Sequence, residues 1–415
     1  MTLPKSVEFA IKTIEQSGFE AYIVGGCVRD ALLEKTPDDW DITTSALPMD
    51  ILDIFKNHQV FPTGIDHGTV TVILFDTPHE ITTYRIDGSY KDGRHPSSVT
   101  FSKSLTQDLS RRDFTINAMA YSPKDGLIDP FGGKVDLEAK IIRTVGNPKD
   151  RFSEDALRLM RSIRFSAVLG FKIEPQTHKA LFDCSNNLCS IAPERICAEL
   201  NKILLSENSG PVLTEFFSVM AKSLFGDYAV GESVNDSLSK FLESLDLVSK
   251  NLYKRLAIFL LGSSKVFSSD PVVLGTHFFS RMKYDNKTRN QCLLLLKNID
   301  RTLLCDRISL RLLIKDLGAQ AAKDLVEVKK AMEKTQKSLL FLKEASDLLD
   351  DILNSNDCCR IKDLDINGTD LKTELLLSGT EIGKSLDFLL DAVIHDSCKN
   401  EKPELIKYLK NKMLS

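Results

Sequence analysis

The hydrophobic pattern changes once along this chain, at Asn147-Pro-Lys-Asp-Arg-Phe152, and no other feature constrains the fold as strongly. Residues 1–145 mix short apolar runs of strand length with helix-length segments and carry much of the glycine and proline punctuation. From Ser153 onward the period is almost wholly helical, with Glu154–Leu169, Pro175–Cys184 and Pro193–Leu205 the clearest segments. Strands are therefore confined to the first third, and the expected class is α+β: a small mixed sheet followed by all-α parts. Ser206–Pro211 reads as a second break, 226–236 and 262–271 as loops, 318–354 as a long charged helix, and Asn367-Gly368 as a turn. These marks divide the chain into four expected parts, 1–147, 148–205, 206–330 and 331–415.

Composition excludes several classes. Hydrophobic residues at 42% and charged residues at 27% describe a soluble globular chain. No apolar run reaches membrane-spanning length. Residues 1–20 place Lys5, Glu8, Lys12 and Glu15 where a secretory signal needs an apolar stretch, so no leader is expected. The nine cysteines form no C-x-x-C pair and no zinc spacing, which implies reduced thiols and a cytoplasmic location. The net charge of −4 argues against a protein that coats nucleic acid over its whole surface. Residues 1–100 hold 8 Lys+Arg against 15 Asp+Glu, so any grip on a polyanion is expected C-terminal to them.

Within the acidic first part, Ala21–Val24 reads as a buried strand, Gly25-Gly26 as a turn and Val28–Leu33 as the start of a helix. Strand, glycine turn and helix leave free backbone N–H groups where an anion can sit, and Arg29 can add a charged fork. Gly-Gly alone is more often a plain turn. Asp39-Trp40-Asp41 follows. On a strand the two carboxylates share one face, and at that spacing they repel unless a cation lies between them. Oxygen ligands of this kind suit Mg²⁺, which also accepts phosphate oxygens. Glu80, in Glu80-Ile-Thr-Thr-Tyr-Arg85, is a third candidate carboxylate on another strand, which makes a two-metal site conceivable. The bland alternative is a solvated acidic loop.

The second cluster is Glu154-Asp155-Ala-Leu-Arg158-Leu-Met-Arg161-Ser-Ile-Arg164-Phe165. A helix would keep Asp155, Arg158, Arg161 and Arg164 on one slowly drifting stripe, with Leu157, Met160, Ile163 and Phe165 as an apolar face. A salt-bridged surface helix is the plain reading. The sharper one concerns bases. A carboxylate only accepts hydrogen bonds and an arginine only donates them. Asp155 beside Arg158 therefore matches the exocyclic amine and unprotonated ring nitrogen of cytosine and adenine. Guanine and uracil present the reverse pattern, and each unpaired polar group would cost about 1–3 kcal/mol.

With Arg111-Arg112-Asp113-Phe-Thr-Ile-Asn117-Ala-Met-Ala, Asp129-Pro-Phe-Gly-Gly133 and Pro193-Glu-Arg195-Ile-Cys-Ala-Glu199-Leu added to these two clusters, the chain resembles the class II tRNA nucleotidyltransferases of the bacterial CCA-adding and poly(A) polymerase family. The motifs span roughly residues 20–205; the helical remainder is similar in general character, with a tail pattern around Leu364–Asp370.

The resemblance implies a polymerase beta-like nucleotidyltransferase head followed by an all-α neck, body and tail. It implies Asp39 and Asp41 as Mg²⁺ ligands; Glu80 remains the third candidate carboxylate on the strand reading alone. It implies Gly26, Arg29, Arg112, Asp155, Arg158, Arg161 and Arg164 as nucleotide-binding residues, and Asp129–Gly133 as a hinge between head and neck. The segment Ile86–Val99 resembles the loop needed to switch from C to A addition. CTP, ATP and the 3′ end of tRNA are the implied substrates, with no membrane partner and no indication of oligomeric state. Lys250, Lys254, Arg255, Lys407, Lys410 and Lys412 are candidate tRNA contacts. His395-Asp396 is a lone dipeptide, not a phosphohydrolase motif. The alternatives are a poly(A) polymerase, a partial CC- or A-adding enzyme, a small-molecule nucleotidyltransferase and a non-catalytic RNA-binding protein.

Overall fold

Alternation along β1 (Ala21–Val24) sets the architecture of the first third. Ala21 and Ile23 point to one side, into a core shared with Val7, Ala10, Ile11 and Ile14. Tyr22 and Val24 point to the other, against Tyr84, Leu105 and Leu109. The sheet is covered on both faces, which explains why β1 is buried at every position. The structure is a computed structural model describing residues 1–87, 99–229 and 236–414. Residues 88–98, most of the segment expected to switch addition from C to A, lie outside the described residues.

Seven strands build that sheet in the order β3-β4-β5-β2-β1-β8-β9. They are β1, β2 (Ile42–Thr44), β3 (Gln59–Gly64), β4 (Thr69–Leu74), β5 (Thr77–Thr83), β8 (Ala120–Ser122) and β9 (Gly126–Ile128). Only β2 and β5 pair in parallel; the other neighbours are antiparallel. A small hairpin of β6 (Arg85–Asp87) and β7 (Val99–Phe101) follows β5. The helices of the first unit are α1 (Lys5–Gln16), α2 (Gly26–Leu32), α3 (Pro48–Ile54), α4 (Leu105–Ser110), α5 (Gly133–Glu138), α6 (Pro148–Glu154), α7 (Leu157–Leu169), α8 (Pro175–Asp183), α9 (Pro193–Leu204) and α10 (Ser209–Phe225).

The chain forms two compact units, Met1–Ser233 and Val234–Ser415. The expected boundary at 147/148 falls inside the first. There β10 (Ile141–Ile142) pairs in parallel with β11 (Lys172–Ile173), and the Phe114 and Phe165 rings meet edge to face at 5.6 Å between centroids. Asp129–Gly133 is a close backbone packing in this conformation. The Asp129 carboxylate accepts from the N–H groups of Gly133 (2.7 Å) and Lys134 (2.8 Å), and a Cβ on Gly133 would lie 2.2 Å from the Thr115 carbonyl oxygen.

The second unit is helical: α11 (Asp236–Leu242), α12 (Leu252–Val266), α13 (Pro271–Met282), α14 (Asn286–Asn298), α15 (Arg307–Leu317), α16 (Ala319–Met332), α17 (Gln336–Asn354), α18 (Gly368–Leu375), α19 (Thr380–Ile394) and α20 (Lys402–Leu414). Several expectations need correction here. The long charged helix is two helices, α16 and α17, because the Thr335 hydroxyl accepts from the Ser338 N–H and caps a new start. Residues 262–266 are helical, not loop. Asn367-Gly368 is no plain turn; Asn367 caps α18 in a capping box with Asp370. Lys254 and Arg255 are buried: Lys254 Nζ is 2.6 Å from both Asp324 and Glu327, so neither residue is presented as a surface contact. His395 Nδ1 bonds the Asp391 carbonyl and Asp396 pairs with Arg311, so that dipeptide closes the end of α19. Among the described residues no single helix is long and apolar enough to cross a membrane.

Candidate active site

The turn after β1 is forced by Gly25, whose φ of 84° and ψ of −129° suit glycine alone. A Cβ there would also approach Arg112 Nη1 at 3.0 Å. Asp41 stands beside this turn. Asp39, Trp40 and Asp41 lie in an extended segment just before β2, rather than in a strand, although the Asp41 carbonyl still accepts from the Val24 N–H at 3.0 Å. Both residues are solvent-exposed as a whole. The Asp41 carboxyl is held above the usual carboxylate range, first by the bulk of protein around it, then by the charges of Asp39 and Glu80, with Arg112 opposing. Asp41 thus lies within the fields of both other acids. Among the described residues no three His, Cys, Asp or Glu side chains close a metal cage. Glu80 is not drawn in as a third ligand in this conformation.

These elements open onto a cleft of about 770 Å³. Its lining includes Gly25, Gly26, Arg29, Asp41, Glu80, Arg112, Asp155, Arg158, Arg161 and Arg164. Every site residue expected from the sequence except Asp39 therefore lines one cavity. Gly26 is the first residue of α2. Arg29 is held against Asp30 by two bonds (2.9 and 2.8 Å) and donates to Asn117 Oδ1 at 2.7 Å.

The expected continuous helix Glu154–Leu169 is broken at Asp155, which takes extended angles (φ −136°, ψ 103°) between α6 and α7. The cause is local competition: Asp155 Oδ1 accepts from the Leu157 N–H at 3.0 Å, a bond available only outside a helix interior. Asp155 therefore precedes the arginine helix instead of sharing its stripe. Its Oδ2 lies 3.5 Å from Arg195.

The three arginines on α7 diverge to separate partners. Arg158 donates to Glu154 Oε2 (2.7 Å), the Arg151 carbonyl (3.2 Å) and the Arg111 carbonyl (2.9 Å). Arg161 bonds Asp113 Oδ2 at 2.7 Å through Nε. Arg164 Nε lies 2.5 Å from Glu199 Oε2 on α9. Phe165 is not simply part of the apolar face. The guanidinium carbons of Arg164, Arg29 and Arg161 lie 4.0, 5.1 and 5.5 Å from its ring centroid, so the ring carries three cations.

Two buried carboxylates hold the cationic wall, and reading the sequence motif by motif missed both roles. Asp108, wholly buried on α4, pairs with Arg111 (2.8 Å) and Arg112 (3.4 Å) and accepts from the Arg85 N–H (3.3 Å). The two arginines lower its pKa against the effect of burial. Its signal was available, because Asp108 stands three and four residues before Arg111 and Arg112. Asp113 reaches Arg161, Asn117 and the Phe114 N–H. Burial alone would raise its pKa, but Arg161 and the Asn117 amide bring it down from 3.8 to about 2.

A depressed carboxylate stabilises the fold above its unfolded pKa and loses that contribution as pH falls through the folded value. Asp113 should therefore contribute about 2 kcal/mol at neutral pH, lost between about pH 4 and pH 2. Urea unfolding of wild type and Asp113→Asn across that range checks this. The wild type's advantage should shrink on acidification, and a constant gap would contradict the assignment.

Comparison with known proteins agrees with this geometry. Residues 21–143 match the Poly A polymerase head domain, 170–218 a probable RNA and SrmB-binding site of polymerase A, and 275–409 the putative domain 2 of tRNA nucleotidyltransferases. The CCA-adding enzyme of Leuconostoc mesenteroides is 34% identical over 401 residues, covering 96% of this chain and 94% of its own. The chain belongs to the CCA-adding enzyme family. A second member, from Anoxybacillus flavithermus, is 34% identical over 406 residues, with 95% and 94% covered. The Bacillus stearothermophilus CCA-adding enzyme in complex with CTP superposes with a TM-score of 0.79 at 29% identity, covering 99% of this chain and 98% of that one. The mixed-sheet head and helical remainder are the fold of this family.

Proposed function

We propose that this protein adds C, C and A to the 3′ end of tRNA from CTP and ATP, without a nucleic-acid template. The observation that carries the reading is the single cleft that joins the Asp41 and Glu80 carboxylates to Asp155 and the arginines of α7. Its chemistry is nucleotidyl transfer to a terminal hydroxyl with pyrophosphate as leaving group, and its work is positioning and charge stabilisation.

The acidic side fits a divalent cation. Asp39 and Asp41 are oxygen donors whose mutual repulsion a cation would relieve. Asp39 and Asp41 would hold Mg²⁺, with Glu80 near enough to add charge, and the bound ion would supply Lewis-acid activation of the hydroxyl and phosphate oxygens. Arg112, whose charge acts on Asp41, has a buried Nε–H with no hydrogen-bond partner among the described residues, a donor suited to a phosphate oxygen. Arg29 and Gly26 border the same volume.

Selection of the nucleotide falls to Asp155 and Arg158. Three of the five N–H groups of Arg158 bond the protein, which fixes its plane and leaves donors for a base. The Asp155 carboxylate keeps acceptor capacity beyond Leu157. The bonds to Glu154 and to the Arg111 carbonyl make the reader rigid, so no template strand is needed to orient it. Arg161 and Arg164 add positive charge beside it. The expected partition of 1–147 as head, 148–205 as neck, 206–330 as body and 331–415 as tail supports placing the acceptor arm along the helical parts, where Lys407 and Lys410 on α20 are exposed. The proposed compartment is the cytoplasm.

A defined tRNA lacking CCA, incubated with CTP and ATP, decides the reading. Three added nucleotides ending in A are expected. Long A tails identify a poly(A) polymerase, and addition that stops at CC or requires a CC end identifies a partial enzyme. Arg158→Ala is expected to raise UTP and GTP incorporation relative to CTP and ATP by about tenfold or more. An unchanged nucleotide preference sinks the base-reading role.

A further inference from the structure

One ring sits where the arginines of the cleft converge. Phe165 is the only aromatic residue of α7; the other apolar positions of that helix are Leu, Met, Ile, Val and Ala. It is 5% exposed and borders the cleft together with Arg29, Arg161 and Arg164. Their guanidinium carbons lie 5.1, 5.5 and 4.0 Å from its centroid, all within cation–π range. Each arginine also has its own carboxylate: Asp30 on α2, Asp113 before the Thr115–Asn117 turn, and Glu199 on α9. Those acids belong to separate segments, so none of them sets one arginine against another. The ring is common to all three. It is itself held by Phe114, edge to face at 5.6 Å.

We propose that Phe165 is a positioning residue for the triphosphate: its π face gathers Arg29, Arg161 and Arg164 into one preset grip, so the ring governs how tightly any nucleoside triphosphate is held and not which base is chosen. This role rests on the nucleotidyl-transfer reading above. Three guanidiniums gathered on one ring repel one another, and their mostly buried side chains leave that repulsion weakly screened. The negative face of an aromatic ring offsets it without consuming an N–H donor, because the attraction is to the π cloud rather than to a lone pair. A carboxylate in the ring's place would neutralise the grip and compete with the phosphates. A leucine would fill the space and leave the repulsion uncompensated. Each arginine keeps N–H donors beyond its carboxylate, and the planar fork matches phosphate oxygens. Holding the three in place before the nucleotide arrives lowers the ordering cost of binding. Phe165 is too buried to stack a base, which leaves base choice to Asp155 and Arg158.

The test replaces Phe165 in the full chain by mono-, di- and trifluorophenylalanine, which keep the ring's shape while progressively draining negative charge from its face, and compares Phe165→Leu. Calorimetry without added metal reads the Kd of CTP, of ATP and of tripolyphosphate, a probe that carries no base. Kd should rise stepwise with fluorine count, by about threefold or more for the trifluoro form and about tenfold for Phe165→Leu, and equally for all three ligands. The thermal midpoints of the fluorinated forms and the preference for CTP and ATP over UTP and GTP should match the wild type. Kd values that ignore fluorine count, a loss that tracks the thermal midpoint instead, a loss confined to one nucleotide, or a wild type that does not bind tripolyphosphate would each overturn the role. A wild type that shows the expected fluorine dependence yet adds no nucleotide to tRNA would keep the ring's role and sink the CCA-adding reading.

Discussion

Asp41→Ala is expected to lower nucleotide incorporation by about 10³-fold or more, the scale of losing several kcal/mol of charge stabilisation at the reacting phosphate. The fold should tolerate the change. Asp41 contributes its backbone carbonyl to the sheet, and alanine keeps that bond to Val24. Its carboxylate is partly desolvated and opposed by Asp39 and Glu80, so removing it relieves repulsion as well as weakening the attraction to Arg112. The thermal midpoint should therefore hold or rise, and tRNA affinity should stay within about twofold, because a carboxylate adds nothing to the phosphate contacts that dominate affinity for a nucleic acid. The two readouts separate function from structure. Retained turnover in this variant refutes the metal assignment; a collapsed midpoint means that Asp41 acts on the fold.

Gly133→Ala tests the scaffold, and its effect should appear first in stability. The new Cβ would sit 2.2 Å from the Thr115 oxygen, 2.8 Å from the Thr115 carbonyl carbon and 2.9 Å from Met119 Cγ. Two of those three contacts are backbone, which cannot rotate away as a flexible side chain would. Relief requires α5 to move off the turn Thr115–Asn117, yet the Thr115 hydroxyl is bonded to Asp136 of α5 at 2.7 Å. Overpacking of this kind costs about 3 kcal/mol. Asn117 is in that turn and takes the Arg29 bond, so incorporation should fall together with stability. Urea unfolding checks the first effect and steady-state kinetics the second. A loss below about 0.5 kcal/mol would mean that the segment yields easily, as a hinge would.

Much of the fold was legible because its signals are local. The apolar run Ala21–Val24, the glycine turn and the change to helical period at residues 147–152 each depend on near neighbours. The misreadings share one physical origin, side chains that recruit backbone or buried partners. Asp155 breaks a helix by taking the Leu157 N–H, Thr335 begins a new one, and Lys254 turns inward because Asp324 and Glu327 await it from a helix some seventy residues away.

The sequence by itself determined the chemistry on offer: acids at 39, 41 and 80, and an acid with three arginines at 155–164. Those residue types limit the reaction to handling phosphate, cation and base edge, since donor and acceptor character belongs to the side chain wherever it lies. Only the tertiary structure decided that Asp41 and Glu80 face one cleft with Asp155 and the three arginines, that Arg158 is immobilised by Glu154 and the Arg111 carbonyl, and that Asp108 and Asp113 anchor the cationic wall. Proximity and burial, which convert scattered donors and acceptors into a site, arise from contacts between distant segments, and no local pattern encodes them.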